Sequence, residues 1–416
     1  MADDSGAART ARRGRAASVV TLLAIIAGAV GAAAAVEDAF SLRPGPNEFD
    51  VPAWEVRNFP NKWLYEFGAI FRGRPTVAEE DEALRSFLTA VERAERPGRE
   101  AGAAAAEALR ERNRLENQAE AAIERRITEV LKQEGIRRGL WVLPDTVWPP
   151  VDMEFTSPPR TLAVSPRDRI ELIDSQLLRA GLDIDEVERI EKEREGRGGV
   201  SALSFPVSGV GAYPTVVAYT SSYRQAVEVA AHEWVHNYLV FRPLGIRYYH
   251  SNDLRAINET VADLVGREVA EAVVRRWPLT EAPANGTGEV TPRRGGSSVD
   301  LRAELVKLRG EVDTLLAAGR IDEAEALMEE RRQYLAANGH YIRRINQAYF
   351  AFINLYAGEA GSPGATNPIG PKVDQLRRLS PSLAAFLRVA GDIESVTDLD
   401  RALAALAGAS SLAEAP

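Results

Sequence analysis

Two of the chain's four histidines stand four residues apart in His232-Glu233-Trp234-Val235-His236. On a helix that spacing puts both imidazoles on one face, a turn apart, where they can converge on one metal ion. The carboxylate of Glu233, beside the first histidine, can then reach a water molecule on that ion. These residue types at this spacing suit Zn2+, which takes imidazole nitrogen and carboxylate oxygen in tetrahedral sites. A site that keeps one position open needs a third protein ligand. Downstream lies Asn258-Glu259-Thr260-Val261-Ala262-Asp263, within a helical stretch read as Leu254–Trp277. Glu259 follows His236 by 23 residues, and Asp263 is one helical turn further on, so the two carboxylates share a face. Their neighbours Ile257, Val261, Ala262, Leu264 and Val265 are apolar, which fits an ordinary pair of surface acids poorly.

The elements that must position these groups are legible too. Tyr223–Phe241 contains no Gly or Pro, and Ser221 and Ser222 precede it as N-cap candidates. Val227, Ala230, Ala231, Trp234, Tyr238 and Leu239 can form its apolar face, while His232 and His236 project together from another side. The bland alternative is a helix with two satisfied polar histidines. Yet a helix buried on most sides that still carries His, Glu and His is expensive unless those groups are satisfied, and a metal ion satisfies them.

HEWVH, followed on a second helix by NETVAD, resembles the gluzincin division of zinc metallopeptidases over roughly residues 200–277. The resemblance implies a zincin-like domain in which His232, His236 and Glu259 ligate zinc. It makes Glu233 the general base and then the proton shuttle. Asp263 becomes the acceptor that orients the Nδ1–H of a zinc-bound histidine, with His232 favoured. A weaker similarity, to poorly characterised bacterial aminopeptidase-like proteins, lies in Asn346-Gln347-Ala348-Tyr349 with Tyr356 beyond it. The reaction implied is hydrolysis of a peptide bond in a peptide or protein substrate. Zinc lowers the pKa of bound water to about 7 and polarises the substrate carbonyl.

The oxyanion formed in such a reaction needs a hydrogen-bond donor besides the metal. Tyr249 and His250, with Tyr248, lie in the connector before the second helix and are candidate catalytic groups. His340, Tyr341, Tyr349 and Tyr356 lie in a later stretch read as one helix. Spacing does not choose among them, and each can equally be a packed aromatic with its polar tip in water. Val200–Thr220 is rich in β-branched and aromatic residues, and Gly209, Gly211 and Pro214 mark a bulged or edge strand. Such a strand can bind substrate backbone by strand addition, or be a plain hairpin.

The amino terminus bears on location. Arg9, Arg12, Arg13 and Arg15 precede Ala16–Val36, a run of 21 residues without a charge, and Glu37 and Asp38 follow it. As a helix the run spans about 31 Å, enough for a bilayer core. The flanking charges orient the terminus inward and the body outside the cytoplasm. Cleavage near Ala33-Ala34-Ala35, giving a secreted protein, is the competing expectation. The chain has no cysteine, which excludes disulfides and thiolate metal sites. Its net charge of −9 argues against a nucleic acid partner, and no glycine-rich phosphate loop is present.

The chain therefore divides into a basic cytoplasmic terminus (1–15), a transmembrane anchor or signal peptide (16–36), an aromatic-rich and helical region (37–136), a zincin core (137–277), a flexible loop (278–298) and a helical carboxy-terminal region (299–416). Trp54, Phe59, Trp63, Tyr65, Phe67 and Phe71 pack on the domain or lie near the membrane. Val77–Ile136 reads as two helices split at Pro97-Gly98. Arg167–Leu178 and Ile184–Glu195 read as helices, and Val299–Ala317 with Ile321–Tyr356 as a helical hairpin turned at Ala318-Gly319-Arg320. Two or three short helices follow in Val373–Leu406. The expected class is a mostly helical α+β fold: an active-site helix, an edge β-strand and a carboxy-terminal helical hairpin, plus one membrane helix. Against the enzyme reading stand a catalytically silent, membrane-tethered binding scaffold and a long-helix adaptor with an accidental motif. Intact Glu233, Glu259 and Asp263 favour the enzyme. The oligomeric state is left open.

Overall fold

A computed structural model describes residues 44–58, 75–95, 101–137, 146–279, 299–356 and 367–413. The apolar run 16–36, the aromatic stretch 59–74 and most of the loop 278–298 lie outside these residues. Among the described residues no helix is long and apolar enough to cross a membrane.

Alanine, glutamate and arginine dominate 77–133 and contribute little β propensity, and two helices form, α1 (Val77–Glu95) and α2 (Ala101–Gln133). Leu84, Phe87 and Val91 of α1 bury against Leu115, Ala119, Ile123 and Ile127 of α2. Arg126 of α2 is fully buried and donates from its two terminal nitrogens to Asp81 at 2.6 Å and the Tyr223 hydroxyl at 2.9 Å.

Two small sheets follow. One runs β3 (Asp174–Leu178), β2 (Arg160–Pro166), β4 (Val200–Pro206), all antiparallel. The other runs β1 (Met153–Thr156), β6 (Thr215–Ala218), β5 (Gly209–Val210), with β1 parallel and β5 antiparallel to β6. One edge of each is closed by glutamates spaced four apart on a helix. Glu124 and Glu120 of α2 accept the Met153 and Phe155 N–H groups of β1 at 2.8 and 2.7 Å. Glu191 and Glu195 of α3 (Ile184–Glu195) accept the Ser204 and Ala202 N–H groups of β4 at 2.7 and 3.1 Å. The carboxylates satisfy backbone donors that an edge strand leaves unpaired.

The helix expected at Arg167–Leu178 is instead a turn followed by β3. The register Ala163↔Ser175 and Thr161↔Leu177 supplies ladder partners that override the weak local preference of this segment. Helix 51–58 carries Trp54, whose Nε1 donates to the Pro214 carbonyl at 3.0 Å and so packs on the domain.

The centre of the largest core is a helix pair, α4 (Tyr223–Leu239) and α6 (Asn252–Arg276), joined through the short α5 (Pro243–Ile246). Val227, Ala230, Ala231, Trp234 and Leu239 are buried there as the apolar face of α4. The hairpin is α7 (Leu301–Ala317) and α8 (Ile321–Ala337), turning at Gly319 with φ +73°. Its second helix stops well short of Tyr356. Gly339 takes φ +85°, and the His340 N–H bonds back to the Leu335 carbonyl at 2.9 Å, a glycine-dependent helix stop. A separate helix, α9 (Gln347–Ile353), then packs Ala348 and Ala351 on Ala163 and Leu203 of the first sheet. Helices α10 (Ile369–Leu379), α11 (Leu383–Gly391) and α12 (Val396–Ala413) complete the main core. The fold is mostly helical α+β.

Candidate metal centre

Ser222 caps α4 by accepting the Gln225 N–H at 3.3 Å, and Ser251 caps α6 by accepting the Leu254 N–H at 3.1 Å. The two helices cross with their backbones nearly touching. A Cβ on Gly266 of α6 would lie 2.9 Å from the Glu228 carbonyl and 3.2 Å from the His232 Cβ. Glycine inside a helix destabilises it by roughly 1 kcal/mol relative to alanine, and here it permits the crossing. The crossing sets His232 and His236 of α4 opposite Asn258, Glu259 and Asp263 of α6.

Three ligand atoms converge. The His232 and His236 Nε2 atoms are 3.1 Å apart, and the Glu259 Oε2 lies 3.5 and 3.7 Å from them. A tetrahedral ion with bonds of about 2.0–2.2 Å separates its ligand atoms by roughly 3.3–3.6 Å, which these distances bracket. The outer nitrogens are engaged. His232 Nδ1 lies 2.9 Å from Asp263 Oδ1, and His236 Nδ1 lies 2.8 Å from Asn258 Oδ1. Both oxygens can only accept, so both Nδ1 atoms carry the protons and both Nε2 lone pairs face inward. Two lone pairs and a carboxylate oxygen facing one another are reconciled by a cation, so the donor set fits zinc.

The electrostatics point the same way. Burial opposes the charged form of His232, but the Asp263 and Glu259 carboxylates outweigh burial and raise its pKa well above the usual value: these groups hold positive charge between them, as a proton on Nε2 or as an ion in its place. Burial would raise Glu259, yet positive charge at His236 and His232 opposite it brings it down to about 2. Both shifts mark a pocket that attracts positive charge. The Tyr248 hydroxyl donates to Glu259 Oε1 at 2.5 Å and orients that carboxylate. Glu233 is buried, and burial raises its pKa, with His232 and His236 working against the rise. A second grouping, Glu116, Glu120 and Glu154, has no histidine. There Glu120 accepts from the Phe155 backbone and Glu116 from the Tyr219 hydroxyl, which gives these acids a structural role.

A cleft of about 600 Å³ opens over the centre, between residues 206–211 and parts of α4, α6 and β3. The strand lies directly on the site. A Cβ on Gly209 would come 2.5 Å from Glu233 Oε1, and one on Gly211 would come 2.9 Å from the His236 Cβ. The sequence marks these glycines as signs of an edge strand; close approach to the histidine helix is their second reason.

The donor candidates separate by position. Tyr248, Tyr249 and Tyr356 line the cleft. His250 does not: the turn after α5, closed by its N–H to the Arg247 carbonyl at 2.9 Å, leaves its side chain exposed. Tyr249 stands at the mouth, 82 % exposed, with its ring edge-on to Tyr248. Both side chains are exposed, His250 outside the cleft and Tyr249 at its mouth. His340 is buried away from the cleft, with Nε2 3.2 Å from the Val299 carbonyl, and Tyr341 is exposed. Tyr349 packs on Phe205 and Phe350. Tyr356 lies deep in the cleft, and burial followed by the Glu259 charge raises its pKa well above the usual value, so its hydroxyl keeps its proton. Among the described residues that hydroxyl has no hydrogen-bond partner. Asn258 stands in the NETVAD stretch but had no role assigned from the sequence, and Gly266 and Arg255 carried no signal there, because all three roles arise only where α6 meets α4 and β3. No protein-family model matches this chain, and no curated protein or solved structure matches it either.

Proposed function

We propose that the chain is a zinc-dependent metallopeptidase of the gluzincin kind. The observation that carries this reading is the convergence of His232 Nε2, His236 Nε2 and Glu259 Oε2 beside the buried Glu233, under an open strand edge. A zinc ion held by those three atoms supplies Lewis acidity that acidifies water and polarises a carbonyl.

The remaining work falls to the chain's own groups. Glu233 accepts the proton of the attacking water and returns it to the departing amine; its raised pKa suits a group that must do both. Asp263 and Asn258 hold the two imidazoles in the tautomer that presents Nε2 inward. Tyr356 donates its hydroxyl to the developing oxyanion. Tyr356→Phe is expected to lower kcat by about 10²–10³-fold with little change in KM, as loss of a single such donor does. An unchanged kcat in steady-state assays removes Tyr356 from this role.

Strand β5 aligns the substrate. The Ser208 carbonyl accepts from the Ala218 N–H, and Val210 pairs with Val216, so the intervening Gly209 turns its N–H and C=O away from β6. An extended peptide can add there, directly above Glu233. Gly209→Ala is expected to reduce kcat/KM by about 10²-fold, because a displaced catalytic carboxylate loses its alignment. Zinc content, measured by elemental analysis, stays at the parent level; zinc loss in this variant would place the glycine's effect on the metal site instead. The reading itself is tested by digesting a peptide library with the zinc-loaded chain and with the same chain stripped by a chelator. Equal cleavage by both overturns it.

A further inference from the structure

Among the described residues lining the cleft, carboxylates outnumber the one guanidinium. Glu228, Glu233, Glu259 and Asp263 line the cleft, and Arg255 is the one arginine or lysine among its lining residues. Arg255 lies on α6 four residues before Glu259, about 6 Å along the helix axis. Its guanidinium sits 5.1 Å from the ring centre of Tyr248 and 5.6 Å from that of Tyr249. One terminal nitrogen donates to the Ser175 hydroxyl of β3 at 3.2 Å, which ties α6 to the far wall of the cleft. That hydroxyl is the one acceptor it meets among the described residues. Its Nε is buried without a hydrogen-bond partner.

Several other arginines drawn into the structure meet carboxylates: Arg126 meets Asp81, Arg343 meets Glu191 and Arg377 meets Glu268; Arg160 shares the lack of one, but both its donors there go to Ser204, away from the cleft. A partly buried guanidinium with no carboxylate in contact keeps open, charged donors, since arginine stays ionised at any relevant pH. Here it is also held against two aromatic rings, which orient its fork before any ligand arrives. A carboxylate matches such a fork with parallel, charge-assisted hydrogen bonds; a neutral amide oxygen matches the geometry less well and brings no charge.

We infer that Arg255 is a specificity-determining residue that binds a carboxylate of the peptide substrate, an inference that rests on the metallopeptidase reading. The carboxylate is either the free α-carboxylate at the substrate's carboxy terminus or an Asp or Glu side chain. At about 3.3 Å per extended residue, the 6 Å offset puts it within roughly two residues of the scissile bond.

The test uses the zinc-loaded full chain and pooled short peptides in three forms. One form is neutral and carboxy-amidated, one is neutral with a free terminal carboxylate, and one is amidated with Asp and Glu included. Cleavage rates and cut positions are read by mass spectrometry. Retention of each form is measured separately on the zinc-loaded chain carrying Glu233→Gln. One carboxylate-bearing form is expected to be retained and cleaved at least about tenfold better than the neutral form. Preference for the free terminus, with cuts within two residues of it, identifies the α-carboxylate; preference for the acidic form identifies a side chain. Arg255→Gln should bring the ratio toward one through KM, and Arg255→Lys should keep part of it. Equal handling of all three forms by the parent chain overturns the inference. So does a variant that slows all three by the same factor, which would mark Arg255 as a prop for Tyr248. Circular dichroism identifies a misfolded Gln variant, and the Lys variant and the parent's own preference then decide. Retention that depends on Arg255 without zinc-dependent cleavage of any form would sink the peptidase reading and leave the carboxylate site standing.

Discussion

His232→Ala and His236→Ala are each expected to take the chain from about one bound zinc ion to none, because removing one of three protein ligands leaves too few to hold the ion. The two imidazoles and Glu259 meet at 3.1–3.7 Å, so each variant opens a side of the same triangle. Glu259→Ala is expected to weaken binding strongly, since it removes the one anionic ligand and strands Tyr248, whose hydroxyl now donates to it. Metal binding should also stabilise the folded chain, so the parent's melting temperature rises with added zinc while those of the histidine variants do not. Elemental analysis and thermal melts read both effects. A His232→Ala chain that keeps a full complement of zinc sinks the assignment of the site.

Glu233→Gln is expected to keep zinc and fold and to lose hydrolysis by about 10²–10⁴-fold, the usual worth of a positioned general base. The substitution preserves the shape of a side chain confined beneath Gly209, where a Cβ would already come within 2.5 Å of its oxygen. It removes only the capacity to accept a proton. Loss in kcat with KM little changed separates this from a binding defect. A variant that cleaves a validated peptide as fast as the parent rules out Glu233 as the base.

The same structure shows where reading a chain by local pattern runs out. The segment 167–178 has no strong strand signal, and its second half becomes β3 because β2 offers it a ladder. Helical periodicity runs past residue 337, yet Gly339 ends α8, and that stop frees Tyr356 to enter the cleft from a different direction. Choosing among seven polar aromatic and histidine candidates was beyond spacing alone, because burial and orientation belong to the packed chain. His250 and Tyr248 are two residues apart, and one faces solvent while the other holds Glu259.

The amino-acid order by itself determined the two helices and which side chains share their faces. A period of 3.6 residues puts His232 beside His236, and Glu259 beside Asp263, whatever the rest of the chain does. It also determined that no thiolate is present to hold a metal, since there is no cysteine. Only the tertiary structure decided that these two faces meet. That depended on Gly266 letting the helices cross at van der Waals distance, and on Gly209 and Gly211 letting a strand edge lie on the result. It decided as well that Asn258 orients His236, that Tyr356 rather than Tyr249 or His250 lies deep in the cleft, and that Arg255 stands there without a carboxylate. The physical reason is one of range. Helix faces follow from neighbours a few residues apart, whereas burial, close approach and the pairing of charges follow from contacts between segments distant in the chain, and local periodicity carries no record of them.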